Sequence, residues 1–243
     1  YNLDSAKHKV TAFPNVLKQG KKRPLKKVES NLEQTAFLQY TGGTTGLSKG
    51  AILTQRNIVA AALQSEAWSE PIVSKIGDEQ INMVLALPLY HIFAFMLSLV
   101  GVRSGNAFIL VPNPRDIPSF IKTLSKQPFH VLPAVNTLFK GLLDHPDFSK
   151  LDFSSLHMSQ AGGMAATEQT ASRWLQVTDC PMIEGWGMTE CVAVGSCNVL
   201  TNTEFTGSIG VPLPSIDMIV INEDGTRAAV NEAGEICMKG PNV

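Results

Sequence analysis

The chain has 243 residues, of which 44% are hydrophobic and 17% are charged, and its formal net charge at pH 7 is −1. These values are typical of a soluble globular α/β protein with one large domain, or one and part of another. Because the net charge is close to zero, nothing in the overall composition indicates a nucleic-acid partner.

The charge is unevenly distributed along the chain. Residues 1–30 contain eight Lys and Arg but two acidic residues, whereas the rest of the chain contains 12 Lys and Arg and 19 acidic residues. The densest basic stretch consists of Lys21, Lys22, Arg23, Lys26 and Lys27. We interpret residues 1–35 as a solvated arm or linker, with contact to anionic lipid or phosphate as the alternative.

Apolar runs alternate with helical patterns after residue 35. Strands are predicted over 36–40, 50–54, 106–111, 129–132 and 157–161. Helices are predicted over 56–68, 116–126, 136–143 and 167–176. This β-α-β-α order predicts an α/β fold in which helices cover a mainly parallel sheet, as part of a larger domain.

Residues 83–102 form an uncharged, apolar run that is long enough to span a bilayer. Pro88 interrupts the run near its start, and the polar pair Tyr90–His91 follows directly. A buried strand over 83–87, a turn and a buried helix over 92–102 therefore explain it better than a membrane span.

The pattern changes after about Cys191. Residues 192–200, 215–221 and 234–240 are strand-like, and no helical pattern is evident. We therefore predict a nucleotide- and acyl-binding core over 36–190 and a truncated β subdomain over 191–243. The four cysteines have no metal-ligand spacing, which favours buried free thiols.

A glycine-rich loop, YTGGTTGLSKG, lies between the first two predicted strands. Glycines allow the backbone to approach a ligand, successive N–H groups bind anions, and lysine adds a mobile charge. The composition favours a polyphosphate site over a simple hairpin turn. The loop departs from the P-loop pattern, because Gly50 follows the lysine and a strand comes next.

This loop resembles the signature loop of the adenylate-forming enzymes, which include acyl-CoA synthetases and luciferases. EGWGMTE at 184–190 and SQAGGMA at 159–165 resemble two further motifs of these enzymes. Segments such as LPLYHIFAF, LDFSSLHMS and GEICMKGPNV are similar to bacterial long-chain fatty-acid–CoA ligases. The likeness extends from residue 36 to residue 243.

The resemblance implies a role for each matching residue. Those expected around the ATP phosphates are Tyr40, Thr41, Gly42, Gly43, Thr44, Thr45, Gly46, Ser48, Lys49 and Gly50. Those expected around the adenine are Gly162, Gly163, Met164, Glu184, Gly185, Trp186, Gly187 and Met188. Trp186 would stack on the base, where the family more often has tyrosine; the alternative is a core tryptophan.

Three residues are expected at the reacting groups. Thr189 would bind the α-phosphate, Glu190 would hold Mg²⁺, and His91 would lie near the acyl carboxylate. The alternatives are a surface glutamate for Glu190 and a buried, satisfied core histidine for His91. Magnesium takes one or two carboxylates and completes its coordination with phosphate and water, which suits a lone glutamate.

The implied reaction uses ATP, Mg²⁺ and coenzyme A to convert a fatty acid into acyl-AMP and pyrophosphate, then into acyl-CoA. A medium-chain or aryl acid ligase, or a nucleotide-binding module without catalysis, is the alternative. We expect a cytoplasmic protein without a nucleic-acid partner. Peripheral contact with the inner face of the cell membrane and a homodimer are both possible in this family.

The family's T-G-D motif and catalytic lysine do not occur within the chain, and the chain opens on tyrosine rather than methionine. We therefore interpret it as the central part of an enzyme, and we expect it to be inactive alone.

Overall fold

The structure, a computed structural model, describes residues 11–41, 49–202 and 204–243. Contacts divide the chain into two units, residues 1–31 and residues 32–243. Within the first unit, helix α1 (Phe13–Gly20) begins with a proline in its first turn and buries none of its residues. The second unit contains every other helix and strand of the described residues.

A seven-stranded sheet forms the centre of the second unit. Its strands are β3 (Asn82–Leu85), β4 (Ala107–Leu110), β5 (Val131–Ala134), β6 (Met158–Ala161), β7 (Met182–Trp186), β8 (Ser196–Cys197) and β9 (Val211–Pro212). Their spatial order is β4-β3-β5-β6-β7-β8-β9. The first five strands in this order are parallel to one another. Strand β8 is antiparallel to β7, and β9 is antiparallel to β8.

Helices cover both faces of this sheet. They are α2 (Gln55–Ile76), α3 (Ile92–Arg103), α4 (Ile117–Leu124), α5 (Asn136–Leu143) and α6 (Glu168–Thr178). Successive strand residues point to opposite faces, so Met83 packs with α2 and α3 whereas Val84 packs with α4, α5 and α6. The predicted α/β class with a mainly parallel sheet is confirmed.

The apolar run over 83–102 is divided in the way the sequence predicts. Its first part is strand β3, and its second part is helix α3, which His91 caps. In the described part of the chain, none of the helices is both long enough and apolar enough to cross a membrane.

Helix α2 continues eight residues beyond the predicted end at residue 68, to Ile76. Pro71 lies inside it and removes one backbone hydrogen bond, yet the last turns persist because Ile72 and Ile76 are buried in the core. Tertiary burial here outweighs the local preference of proline.

The strand-like pattern over 192–200 was wrong in extent, since only Ser196–Cys197 is a strand. Val192 and Ala193 have φ values of 56° and 61°, which lie in the left-handed region and interrupt an extended chain. Strand β7, which the sequence reasoning did not predict, pairs with β8 and thereby joins this region to the main sheet.

Two further pairs of strands lie outside the main sheet. Strands β10 (Asp217–Ile221) and β11 (Glu235–Lys239) form one antiparallel pair, close to the predicted positions. Strands β1 (Thr35–Tyr40) and β2 (Gly50–Thr54) form the other, on either side of the glycine-rich loop. The predicted domain boundaries at residues 35 and 190 stay predictions.

Candidate functional site

A cavity of about 610 Å³ lies between helices α2 and α3 and one face of the main sheet. Its apolar wall comes from buried residues of both helices and three strands. They are Ile72, Ile76, Met83, Met96, Val100, Val131 and Met158. A cavity of this size and lining suits an extended apolar ligand.

The other end of the cavity lies at the carboxyl edge of the parallel strands. Gly162 and Gly163 follow β6, and Gly187, Met188 and Thr189 follow β7, and all of them line the cavity. Ligands of open α/β sheets bind at this edge, because loops from several strands converge there. The fold thus brings together predicted residues that are distant in sequence.

His91 also lines this end of the cavity, as the N-cap residue of α3. Its Nδ1 atom accepts a hydrogen bond of 3.3 Å from the backbone N–H of Phe93. The residue is exposed, so it is not the buried core histidine of the alternative interpretation. The Phe93 ring in turn packs on Gly162, where an added Cβ would lie 3.1 Å from the ring.

Trp186 lines the cavity at the end of β7 and is partly buried. Its indole lies against the backbone of Gly195, where an added Cβ would lie only 2.6 Å from Trp186 Cε3. Gly195 also donates a backbone hydrogen bond of 3.1 Å to the carbonyl of Trp186. The position of the indole therefore depends on the absence of a side chain at residue 195.

Thr189 and Glu190 lie in a short 3₁₀ turn directly after this segment. The turn leads into the left-handed residues Val192 and Ala193. The buried amide of Asn242 donates hydrogen bonds to the carbonyls of Cys191 and Val194, at 2.9 and 2.7 Å. These two carbonyls flank the left-handed pair, so Asn242 holds the turn that presents Thr189 and Glu190.

The glycine-rich loop is described only at its ends. Gly42, Gly43, Thr44, Thr45, Gly46 and Ser48 lie outside the described residues. At the base of the loop, the N–H of Thr41 donates to the carbonyl of Lys49 at 2.9 Å. The ring of Tyr40 packs on Gly50, and both Lys49 and Gly50 are exposed.

The family model for AMP-binding enzymes matches residues 3–243 of the chain. The chain belongs to the AMP-binding enzyme family.

Curated relatives of this AMP-binding protein include two long-chain-fatty-acid–CoA ligases. The chain is 44% identical to that of Haemophilus influenzae, with 97% of the chain and 42% of the relative aligned. It is 33% identical to that of Bacillus subtilis, with 86% of the chain and 37% of the relative aligned. The chain thus spans about two fifths of the length of these relatives.

Solved structures of similar fold include ATP-bound MatB from Rhodopseudomonas palustris, at a TM-score of 0.77 and 26% identity over 89% of this chain and 41% of MatB. A long-chain-fatty-acid-CoA ligase from Archaeoglobus fulgidus matches at a TM-score of 0.72 and 25% identity, over 89% of this chain and 44% of that one.

Several of the site residues predicted from the sequence do not line the cavity. Among the described residues, these are Tyr40, Thr41, Lys49, Gly50, Met164, Glu184 and Glu190. Met164 and Glu190 are exposed, and each directly follows a residue that lines the cavity. The assigned roles of all the site residues stay predictions.

Glu184 makes a contact that its motif does not explain. Its Oε1 atom accepts a hydrogen bond of 3.2 Å from the N–H of Ala166, which joins β7 to the loop after Gly163. Burial raises the pKa of this carboxyl above its ordinary value, and the hydrogen bond from Ala166 partly opposes that effect. The contact supports a positioning role for Glu184.

Sequence reasoning missed two parts of the cavity. One is the part of α2 after residue 68, which Pro71 obscured and which contributes Ser69, Ile72 and Ile76 to the cavity wall. The other is Gln160, whose place in the SQAGGMA motif drew attention to the glycines alone. Its position two residues before Gly162 on a predicted strand, and hence on the same face, was the available signal.

Proposed function

We propose that the protein is an AMP-forming ligase that joins long-chain fatty acids to coenzyme A. One observation carries the proposal: a single cavity connects the apolar wall around Met96 and Val131 with Thr189 and His91. An acyl chain would lie against the apolar wall, and its carboxylate would reach the end where the nucleotide residues converge. The printed names of the curated relatives support this substrate class.

The proposed reaction has two steps. A carboxylate oxygen attacks the α-phosphorus of ATP, and the bond to pyrophosphate breaks. The sulfur of coenzyme A then attacks the acyl carbonyl, its thiol proton is lost, and AMP leaves. The first step brings two anions together, so N–H groups of the glycine-rich loop, Lys49 and the Thr189 hydroxyl would stabilise the phosphate oxygens.

The exposed carboxylate of Glu190, next to Thr189, supports Mg²⁺ as the proposed metal. No group of three or more His, Cys, Asp and Glu side chains within 11–41, 49–202 and 204–243 forms a metal cage. Glu190 would supply one carboxylate beside the phosphates, which is the ligand set that Mg²⁺ prefers. The ion would neutralise charge on the phosphates while Glu190 holds it in place.

The test measures pyrophosphate release and acyl-CoA formation by the full-length gene product with hexadecanoate, octanoate or benzoate. We expect hexadecanoate to give the highest kcat/KM. A preference for octanoate or benzoate would support the medium-chain or aryl alternative. ATP binding without pyrophosphate release from any of these acids would contradict the proposal and support a nucleotide-binding module.

Substituting Glu190 tests the proposed metal contact. Glu190→Gln keeps the shape but removes the charge, so we expect slower adenylation and a higher Mg²⁺ concentration for half-maximal rate. Losing a charge-assisted contact corresponds to about a 10- to 150-fold lower rate. Glu223→Gln makes the same change at an exposed residue between β10 and β11, outside the cavity wall, as a control. A Glu190→Gln protein with unchanged Mg²⁺ dependence would rule out a ligand role.

The 243 residues by themselves are proposed to form no acyl-CoA. The relatives named as ligases are more than twice as long, and catalysis requires both reactants to be held within fractions of an ångström. Turnover by the 243-residue chain at the rate of the full-length gene product would contradict this. Homodimerisation and contact of the exposed basic residues 21–27 with anionic lipid are proposed on the family resemblance and the charge alone.

A further inference from the structure

The side-chain amide of Gln160 lies in the cavity wall without a hydrogen-bond partner among the described residues. Its Oε1 atom is buried and accepts no hydrogen bond. A buried carbonyl oxygen without a hydrogen-bond donor costs free energy on folding, because it loses its hydrogen bonds to water. Such a group in a ligand cavity indicates that the ligand supplies the partner.

The place of Gln160 along β6 locates it relative to the proposed substrate. Met158, Gln160 and Gly162 are every second residue along the chain and therefore share one face, and all three line the cavity. A strand rises about 3.3 Å per residue, so Gln160 lies roughly 7 Å from Gly162 toward the apolar interior. It would therefore meet the acyl chain within the first few carbons of the carboxylate.

The space in front of the amide is kept open by a glycine. An added Cβ on Gly185 of the neighbouring strand would lie 3.4 Å from Gln160 Nε2 and 3.6 Å from Cys197 Sγ. Any side chain at residue 185 would cover the amide. Burial raises the pKa of Cys197 to about 11, so this neighbour is an uncharged thiol at neutral pH. The surroundings of Nε2 thus favour a polar but uncharged partner.

We propose that Gln160 Oε1 accepts a hydrogen bond from a hydroxyl group carried by the acyl chain near its carboxylate. The substrates would then include long-chain acids hydroxylated at such a position, of which a 3-hydroxy acid is the simplest. This inference rests on the proposed ligase function, which it extends by naming a substrate class.

The test compares hexadecanoate, 3-hydroxyhexadecanoate and 16-hydroxyhexadecanoate in the full-length gene product. In Gln160→Met, which keeps length but removes the amide, kcat/KM for the 3-hydroxy acid relative to hexadecanoate should fall about 10-fold. The relative value for the 16-hydroxy acid should stay unchanged. Gln176→Met, which makes the same change at an exposed position on α6 outside the cavity wall, is the matched control and should change neither ratio.

An unchanged ratio in Gln160→Met would overturn the inference and indicate that water satisfies the amide. If that variant does not fold, the wild-type protein still tests the inference. A wild-type kcat/KM that is lower for the 3-hydroxy acid than for the 16-hydroxy acid would also overturn the inference. If hexadecanoate is not adenylated at all, the ligase proposal fails. Thermal shift then tests Gln160 separately, since the 3-hydroxy acid should stabilise wild type more than Gln160→Met.

Discussion

Trp186, the last residue of β7, and Gly195, the residue before β8, form a size-matched pair. The ring atoms nearest to the missing Cβ are Cε3 and Cζ3, at 2.6 and 2.8 Å. Both atoms belong to the six-membered ring of the indole, which is fused to the five-membered ring that contains Cγ, and the single ring of a phenol lacks this fused part. The third contact of the missing Cβ, 2.9 Å to the carbonyl oxygen of Trp186, would remain with any residue at 186, so a smaller ring would relieve only the contact with the side chain.

Gly195→Ala should displace the indole and weaken its proposed stacking on adenine. Stacking of a base on an aromatic side chain contributes about 1–3 kcal/mol, so we expect kcat/KM for ATP to fall roughly 5- to 150-fold. The double variant Trp186→Tyr with Gly195→Ala should recover at least part of this loss. Pyrophosphate release at varied ATP concentration measures both effects.

Gly141→Ala on α5 is the control, since its added Cβ would meet only the flexible end of Ile117 at 3.3 Å. A KM for ATP unaffected by Gly195→Ala would show that residue 195 does not position Trp186. A double variant no better than the single one would show that the loss comes from the contact with the Trp186 carbonyl rather than with the ring.

The left-handed pair Val192 and Ala193, which follows the 3₁₀ turn of residues 189–191, shows how one side chain supports a strained segment. Val192 is buried and β-branched, and a left-handed backbone at such a residue costs about 1–3 kcal/mol. Asn242 offsets this cost through its two hydrogen bonds to the flanking carbonyls. Asn57 of α2, which caps its own helix with Thr54, binds the carbonyls on either side of Asn242 at 3.2 and 3.0 Å.

Asn242→Asp keeps the shape of the side chain, removes its two N–H donors and places an acidic group against two carbonyl oxygens at a fully buried position. Two buried carbonyls would lose their donor, so we expect the free energy of unfolding to fall by about 2–4 kcal/mol. Hydrogen exchange at residues 189–195 should become faster, and adenylation slower. Urea unfolding and exchange mass spectrometry on the full-length gene product measure these changes.

Asn202→Asp is the matched control, because the Asn202 side chain accepts from the N–H of Glu204 and an aspartate can do the same. Normal exchange at residues 189–195 in Asn242→Asp would mean that the turn does not need the amide.

At the scale of the whole molecule, the seven-stranded sheet carries one carboxyl whose burial links stability to pH. Since the folded-state pKa of Glu184 is raised from 4.5, the folded protein binds its proton more tightly than the unfolded chain. Stability from this group is therefore fully present below pH 4.5 and is lost as the pH rises through the folded-state pKa.

Glu184→Gln should remove this dependence, since glutamine keeps an acceptor for Ala166 and cannot ionise. We expect its Tm to match wild type near pH 4 and to exceed it at pH 7, in scans from pH 4 to 8. Glu184→Ala, which also removes the acceptor, should lower the Tm throughout. A Tm difference between Glu184→Gln and wild type that is constant with pH would contradict the assignment.

The sequence by itself determined the alternation of strands and helices, the division of residues 83–102 and the family. These features depend on local periodicity and on motifs read in order along the chain. Helix α5 was predicted at its observed bounds, because its apolar spacing, rather than a distant contact, defines it.

Only the tertiary structure decided the rest. It showed that α2 continues through Pro71, that Val192 and Ala193 interrupt a strand-like run, and that Gln160 faces a cavity without a partner. Each of these features depends on residues far away in the chain: the core around Ile76, the amide of Asn242 and the bare backbone of Gly185. Local propensity does not depend on such partners, because they come into contact only when the sheet is assembled.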